Sequence, residues 1–148
     1  MASINDAIDV NEQKDHGKHW SERIHPKNKE DVGLRLAYLA LAKDYGLDIV
    51  ASGPIFKEYV TSGNTIRIIF EHTGRGLKWR DKNSSNHSFQ LSNNGSTFVK
   101  ANARIDGHTV MLSGRSNPRY VKFAWSNIPI VNLVNSSGLP ASSFRTVP

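Results

Sequence analysis

The chain contains no cysteine. Disulfides, thiolate nucleophiles and cysteine-type zinc sites are therefore all excluded. The absence does not fix a compartment. No apolar stretch is long enough to span a membrane as a helix. Residues 1–20 lack a basic stretch followed by an apolar run, so no signal peptide is visible and the localisation stays open. Internal repeats and low-complexity tracts are missing too. What is present is a chain of 148 residues, enough for one domain plus an extra element. A core is feasible at that size without covalent staples.

Acidic residues are scarce in one part of the chain only. The net charge is +6 at neutral pH. Residues 1–46 hold seven Lys/Arg and eight Asp/Glu, a balance of −1. Residues 47–148 hold twelve and five, a balance of +7. A basic domain can meet nucleic acid through its phosphates. Here the basic residues are scattered along apparent strands and do not cluster. A solvated basic surface is expected, and nucleic acid is not.

Residues 1–23 are polar and aperiodic, and read as an extended segment or loop. Residues 28–45 read as a helix. Asn28 with Asp31 three later resembles a capping arrangement, and Glu30 and Asp31 suit the positive N-terminal end. Pro26 fits a helix entry, and Gly46 fits the left-handed position after the last turn. The helix carries two apolar stripes. One is Val32, Leu36, Leu39 and Ala40; the other is Leu34, Tyr38, Leu41 and Tyr45. A helix apolar nearly all round is normally buried on both sides. Residues 47–148 would cover only one side. A further covering layer is expected, and without it one stripe stays exposed or self-associates.

From Leu47 onward the period is two. Ile66, Ile68 and Phe70 alternate with Arg67 and Ile69. Val99, Ala101, Ala103 and Ile105 alternate with Lys100, Asn102 and Arg104. Asp106-Gly107 signals a two-residue hairpin before His108–Ser113. Val121, Phe123 and Trp125 alternate with Lys122 and Ala124. Several short strands at this spacing predict an antiparallel β-sandwich, jelly-roll-like, over residues 47–148. The predicted class is mainly β, with one α-helix in front and a boundary at residue 46.

Few residues suggest chemistry by themselves. His16-x-x-His19 with Asp15 and Glu22 is a weak metal pattern, and its segment does not read as a helix. No metal and no cofactor are expected. Asn83-x-Ser85 and Asn135-x-Ser137 match the glycosylation pattern but read as turn residues. Trp79, Trp125, Tyr120 and Tyr59 could stack on sugar rings. Trp125 shares a face with Val121 and Phe123, which predicts a core position. Trp79 stands between Lys78 and Arg80, which predicts exposure.

Longer patterns say more. The chain reads Ile24-His25-Pro26-Lys27-Asn28-Lys29, then Val32-Gly33-x-Arg35-Leu36-Ala37. Further on come Ser52-Gly53-Pro54-Ile55, Gly76-Leu77 and Ala101-x-Ala103-x-Ile105. Near the end it reads Asn132-Leu133-x-Asn135-x-x-Gly138-Leu139-Pro140-Ala141-x-x-Phe144-Arg145. In their order and spacing these resemble the C-terminal part of the sialate O-acetylesterase family, which are SGNH-type carboxylesterases. The resemblance runs from about Ile8 to Arg145.

The resemblance implies a parent enzyme that hydrolyses acetyl esters on sialic acids or other glycan sugars, possessing an SGNH hydrolase domain and in a secreted or periplasmic setting. It implies that His25, in the loop before the last hydrolase helix, is the catalytic base. Glu22, three residues earlier, is the implied acid partner, with Asp9 and Asp15 as alternatives. The serine nucleophile of that family lies in a Gly-Gln-Ser-Asn-like turn, and no such segment occurs in this sequence. Residues 1–46 then read as the end of a hydrolase domain, inactive alone. Its partners would be an acetylated sugar and an N-terminal hydrolase chain, or a second copy through helix 28–45. No membrane partner is expected. A different reading is a free-standing carbohydrate-binding or structural β-module.

Overall fold

The computed structural model describes residues 2–7, 28–84, 88–127 and 129–147. Helix α1 spans Lys29–Lys43. The N–H of Asp31 donates to Asn28 Oδ1 at 3.0 Å, so the predicted cap is the cap. At the far end Leu47 N–H reaches the Leu41 carbonyl at 3.0 Å, and Gly46 sits at φ 68°. That bond and that backbone close the last turn as a left-handed helix end does.

Three antiparallel sheets follow. The first has the order β1 (Ile55–Ser62), β2 (Thr65–Glu71), β7 (Thr109–Ser113), β6 (Asn102–Asp106). The second has the order β10 (Phe144–Arg145), β8 (Tyr120–Phe123), β4 (Phe89–Ser92), β5 (Val99–Lys100). A short pair joins β3 (Leu77–Trp79) to β9 (Leu133–Asn135). Ile66, Ile68, Val110 and Leu112 of the first sheet meet Phe89, Leu91, Val121 and Phe123 of the second in one buried core. Phe144 sits at its centre, stacked on Phe56 at 4.4 Å and edge-on to Phe70 at 6.1 Å. This is the predicted β-sandwich preceded by one helix. Among the described residues no helix is long and apolar enough to cross a membrane.

Two local expectations shift. The predicted strand through Val99 and Ile105 is two strands, broken at Ala101. The chain there leaves the second sheet for the first. The alternation survives because both sheets face the same core. The hairpin turn is Gly107-His108, one residue later than predicted, since Asp106 still pairs with Thr109. Gly107, at φ 60°, takes the turn's left-handed backbone.

Candidate functional site

His25 and Glu22, the expected base and its partner, lie outside the described residues, as do Asp9, Asp15, His16 and His19. The structure does fix the helix that follows His25 in the sequence, and what holds that helix. Arg35 is the buried residue of α1. Its guanidinium donates to both oxygens of Asp6, to the Ser3 carbonyl at 2.9 Å, and to Asp31 at 3.4 Å. Arg80, just past β3, donates to the same Asp6 carboxylate. Asp6 is 4% exposed at its side chain. Burial alone would raise its pKa, but the hydrogen bonds and charges of Arg35 and Arg80 outweigh burial and hold it below the ordinary 3.8. One carboxylate thus ties the N-terminal strip, α1 and the sandwich together.

The motif segments near the C-terminus support this joint. Asn132 accepts from Asp81 N–H at 2.7 Å and donates to the Asp81 carbonyl at 3.0 Å. Its own carbonyl accepts from Arg80 N–H at 2.8 Å. Asn132 therefore sets the backbone from which Arg80 reaches Asp6. Asn135, fully buried, donates to the carbonyls of Ser52 and His72, both at 3.0 Å. Its oxygen accepts from the N–H of Ser137 and of Leu139. Gly53 lies so close to Pro140 that a Cβ would stand 1.9 Å from the Pro140 carbonyl oxygen. Only glycine fits there. The space between the N-terminal strip, Arg35, Gly53 and Pro140 is about 10 Å³, which holds one water at most. The joint is a packed contact and leaves no ligand pocket.

Other expectations resolve as follows. Asn135 is buried with every amide bond used, as befits a turn anchor and not a glycan acceptor. Thr73 and His108 share a hydrogen bond of 2.7 Å, which, with Leu77 N–H on the Gly107 carbonyl, ties two turns together. The two tryptophans exchange their predicted roles. Trp79 is half-buried and packs against the core. Trp125 is 53% exposed. The cause is Ala124, whose φ of 49° turns the chain and ends the alternation that would have carried Trp125 inward. Of the Asp6 ion-pair cluster, Arg35 and Asp31 stood in recognised patterns. Asp6 and Arg80 had no local signal, because their pairing spans the chain.

No family model matches the chain, and no curated protein matches it. Among solved structures the chain is similar to a carbohydrate acetylesterase from Xanthomonas citri, known from its crystal structure. The two are 36% identical, with a TM-score of 0.77. The match covers 83% of this chain and 29% of that one. Identity at this level goes with a common fold and makes the chain a relative of a carbohydrate esterase. The chain spans less than a third of that enzyme's length.

Proposed function

We propose that the chain is the C-terminal portion of an SGNH-type sugar O-acetylesterase that hydrolyses acetyl esters on glycans, sialates among them. The 36% identity to a carbohydrate acetylesterase, over 83% of this chain, carries the reading. His25 is the base in this scheme. Its neutral imidazole takes the proton of a serine as that oxygen attacks the acetyl carbonyl, then returns it to the departing sugar hydroxyl. Water next attacks the acetyl-serine by the same proton path, releasing acetate. Glu22 orients the ring. Residues 1–46 belong with the hydrolase domain and residues 47–148 with the sandwich.

The exposed face of α1 supports this arrangement. Leu34 and Tyr38, four apart, are exposed on one side of the helix, Leu36 is exposed on the other, and Leu47, Ile49 and Val50 are exposed beyond its end. Leu34 and Tyr38 belong to one of the two apolar stripes, and an apolar stripe left open to solvent marks an interaction surface. A hydrolase layer carrying the nucleophile and oxyanion donors would seat there, against the helix that follows His25 in the sequence.

A graft tests the reading. This chain replaces the matching part of the Xanthomonas citri enzyme, and hydrolysis of p-nitrophenyl acetate is followed. The chain alone is expected to show no turnover, because an imidazole without nucleophile or oxyanion donors cannot hold the carbonyl. The graft should turn over, and His25→Ala should lower its rate by roughly 10²–10⁴-fold. A folded graft unaffected by His25→Ala would overturn the assignment. So would turnover by the isolated chain that His25→Ala removes.

A further inference from the structure

The outer face of the second sheet has a chemistry of its own. Phe89, Leu91, Val121, Phe123 and Phe144 point into the core. Alternation therefore sends Gln90, Lys122 and Arg145 outward. The register aligns them: Arg145 pairs with Lys122, Lys122 with Gln90, and Gln90 with Lys100. One row of three cations and an amide crosses the whole sheet. This corrects the expectation that the basic residues stay scattered.

Among the described residues, the strands of this sheet carry no acid. From Lys82 to Pro148 there are seven Lys/Arg and one acid, Asp106. Asp106 lies on the first sheet, where it accepts a hydrogen bond from Arg67 at 2.8 Å. Lys122 and Arg145 share the ring of Phe98, at 4.6 and 5.5 Å from its centroid. Two like charges are thus held side by side. Such neighbours repel, and a bound anion relieves the repulsion.

A groove of about 190 Å³ opens beside this row, lined by Ser88, Gln90, Lys122, Ala124, Trp125 and Ile130. Drug-sized ligands take roughly 300 Å³ or more, so this groove suits a single ring. Two non-glycine residues with left-handed backbone form its corner, Ser88 at φ 56° and Ala124 at φ 49°. The N–H of Ala124 donates to the Ser88 carbonyl at 3.0 Å, and the Ser88 hydroxyl donates to the Ile130 carbonyl. Strained backbone of this kind clusters at ligand clamps. Its effect here is to bring an indole out to the groove.

We propose that this groove is a binding subsite for a carboxylate-bearing pyranose of an acidic glycan. The Trp125 face takes the apolar face of the ring. Gln90 offers donor and acceptor to its hydroxyls. Lys122 meets the carboxylate, and Lys100 and Arg145 extend the cationic row toward neighbouring sugars. The inference adds a glycan chemistry to the esterase reading but does not depend on it, because binding is measured without turnover.

Calorimetric titration tests it. The probes are methyl β-D-glucuronide and tetragalacturonate, against methyl β-D-glucoside and cellotetraose. Wild type should bind each acidic probe about tenfold more tightly than its neutral counterpart or better. Trp125→Ala should weaken acidic and neutral probes alike, by about tenfold. Lys122→Gln should remove the preference for the acid while leaving neutral binding in place. Melting curves check that both variants fold. Failure of folded wild type to bind either uronate overturns the proposal, as does equal binding of glucuronide and glucoside. Polyuridylate provides the last arm. If it binds more tightly than tetragalacturonate, and Trp125→Ala changes neither, the face is a polyanion surface and the sugar subsite is refuted. An active graft esterase that binds no uronate would overturn this inference alone. Uronate binding by a chain whose graft is inactive would overturn the esterase reading alone.

Discussion

Replacing Asn135 by alanine removes four hydrogen bonds at once. Its amide nitrogen serves the Ser52 and His72 carbonyls at 3.0 Å, and its oxygen serves the N–H groups of Ser137 and Leu139 at 3.1 and 3.0 Å. These link three separate stretches of chain. A typical bond of this kind contributes about 1 kcal/mol net, and an orphaned buried partner costs about 1–3 kcal/mol. Ser137 is exposed, so water can replace that one bond. The loss expected is about 3–5 kcal/mol, a large part of the roughly 5–15 kcal/mol that holds such a domain together. Guanidinium unfolding followed by tryptophan emission measures it, since Trp79 pairs with Leu133 on the strand that carries Asn135. Asn135→Asp keeps the shape but turns a carboxylate toward two carbonyls. That variant should recover stability as pH falls, because the protonated carboxyl donates again to one of them. A loss below about 1 kcal/mol for Asn135→Ala, at unchanged denaturant slope, would refute the claim that this side chain anchors the loop.

Two further outcomes follow from the joint and the helix. Asp6→Ala should release α1 from the sandwich, seen as faster hydrogen exchange of the α1 amides with the β2 and β7 amides unchanged. Because the folded carboxyl titrates below 3.8, its contribution is full above that pH and disappears as pH drops through the lower folded value. Wild-type α1 should therefore stay protected at pH 5 and open in stronger acid. Sedimentation of wild type should show weak self-association through α1, which the double variant Leu34→Glu/Tyr38→Glu on one face abolishes. Both side chains are exposed, so the variant's stability should stay within about 0.5 kcal/mol of wild type per site. A monomeric wild type together with a strongly destabilised variant would show that the helix face is buried within one chain.

What the sequence made legible was local. The Asn28 cap, the Gly46 helix end and the strands over Ile66–Phe70 and Val121–Phe123 are set by residues a few positions apart, and these formed as read. The Trp125 expectation failed because alternation was continued through Ala124, and a left-handed alanine leaves no mark in a sequence. The cationic row was invisible for another reason. Lys100, Lys122 and Arg145 are far apart along the chain, and only strand register makes them neighbours. The Asp6 joint has the same origin: its two arginines lie 29 and 74 positions away. The break at Ala101 was hidden because a strand that changes sheets keeps its inward side inward.

The residues that make this chain recognisable are largely the ones that hold it together. Gly53 admits Pro140, Asn135 ties Ser52 and His72 to the last turn, and Asn132 sets the backbone of Arg80. Arg80 then meets Arg35 across Asp6. None of these side chains could attack an ester or move a proton in doing so. What they transmit is position. Each bond in the series fixes the next element, and the last element fixed is α1, which begins four residues after His25. A similarity carried by such residues argues that the helix is set on the sandwich as it is in a relative. Under the proposed esterase reading the chemistry falls to His25, which precedes that helix in the sequence, and His25→Ala in the graft tests it.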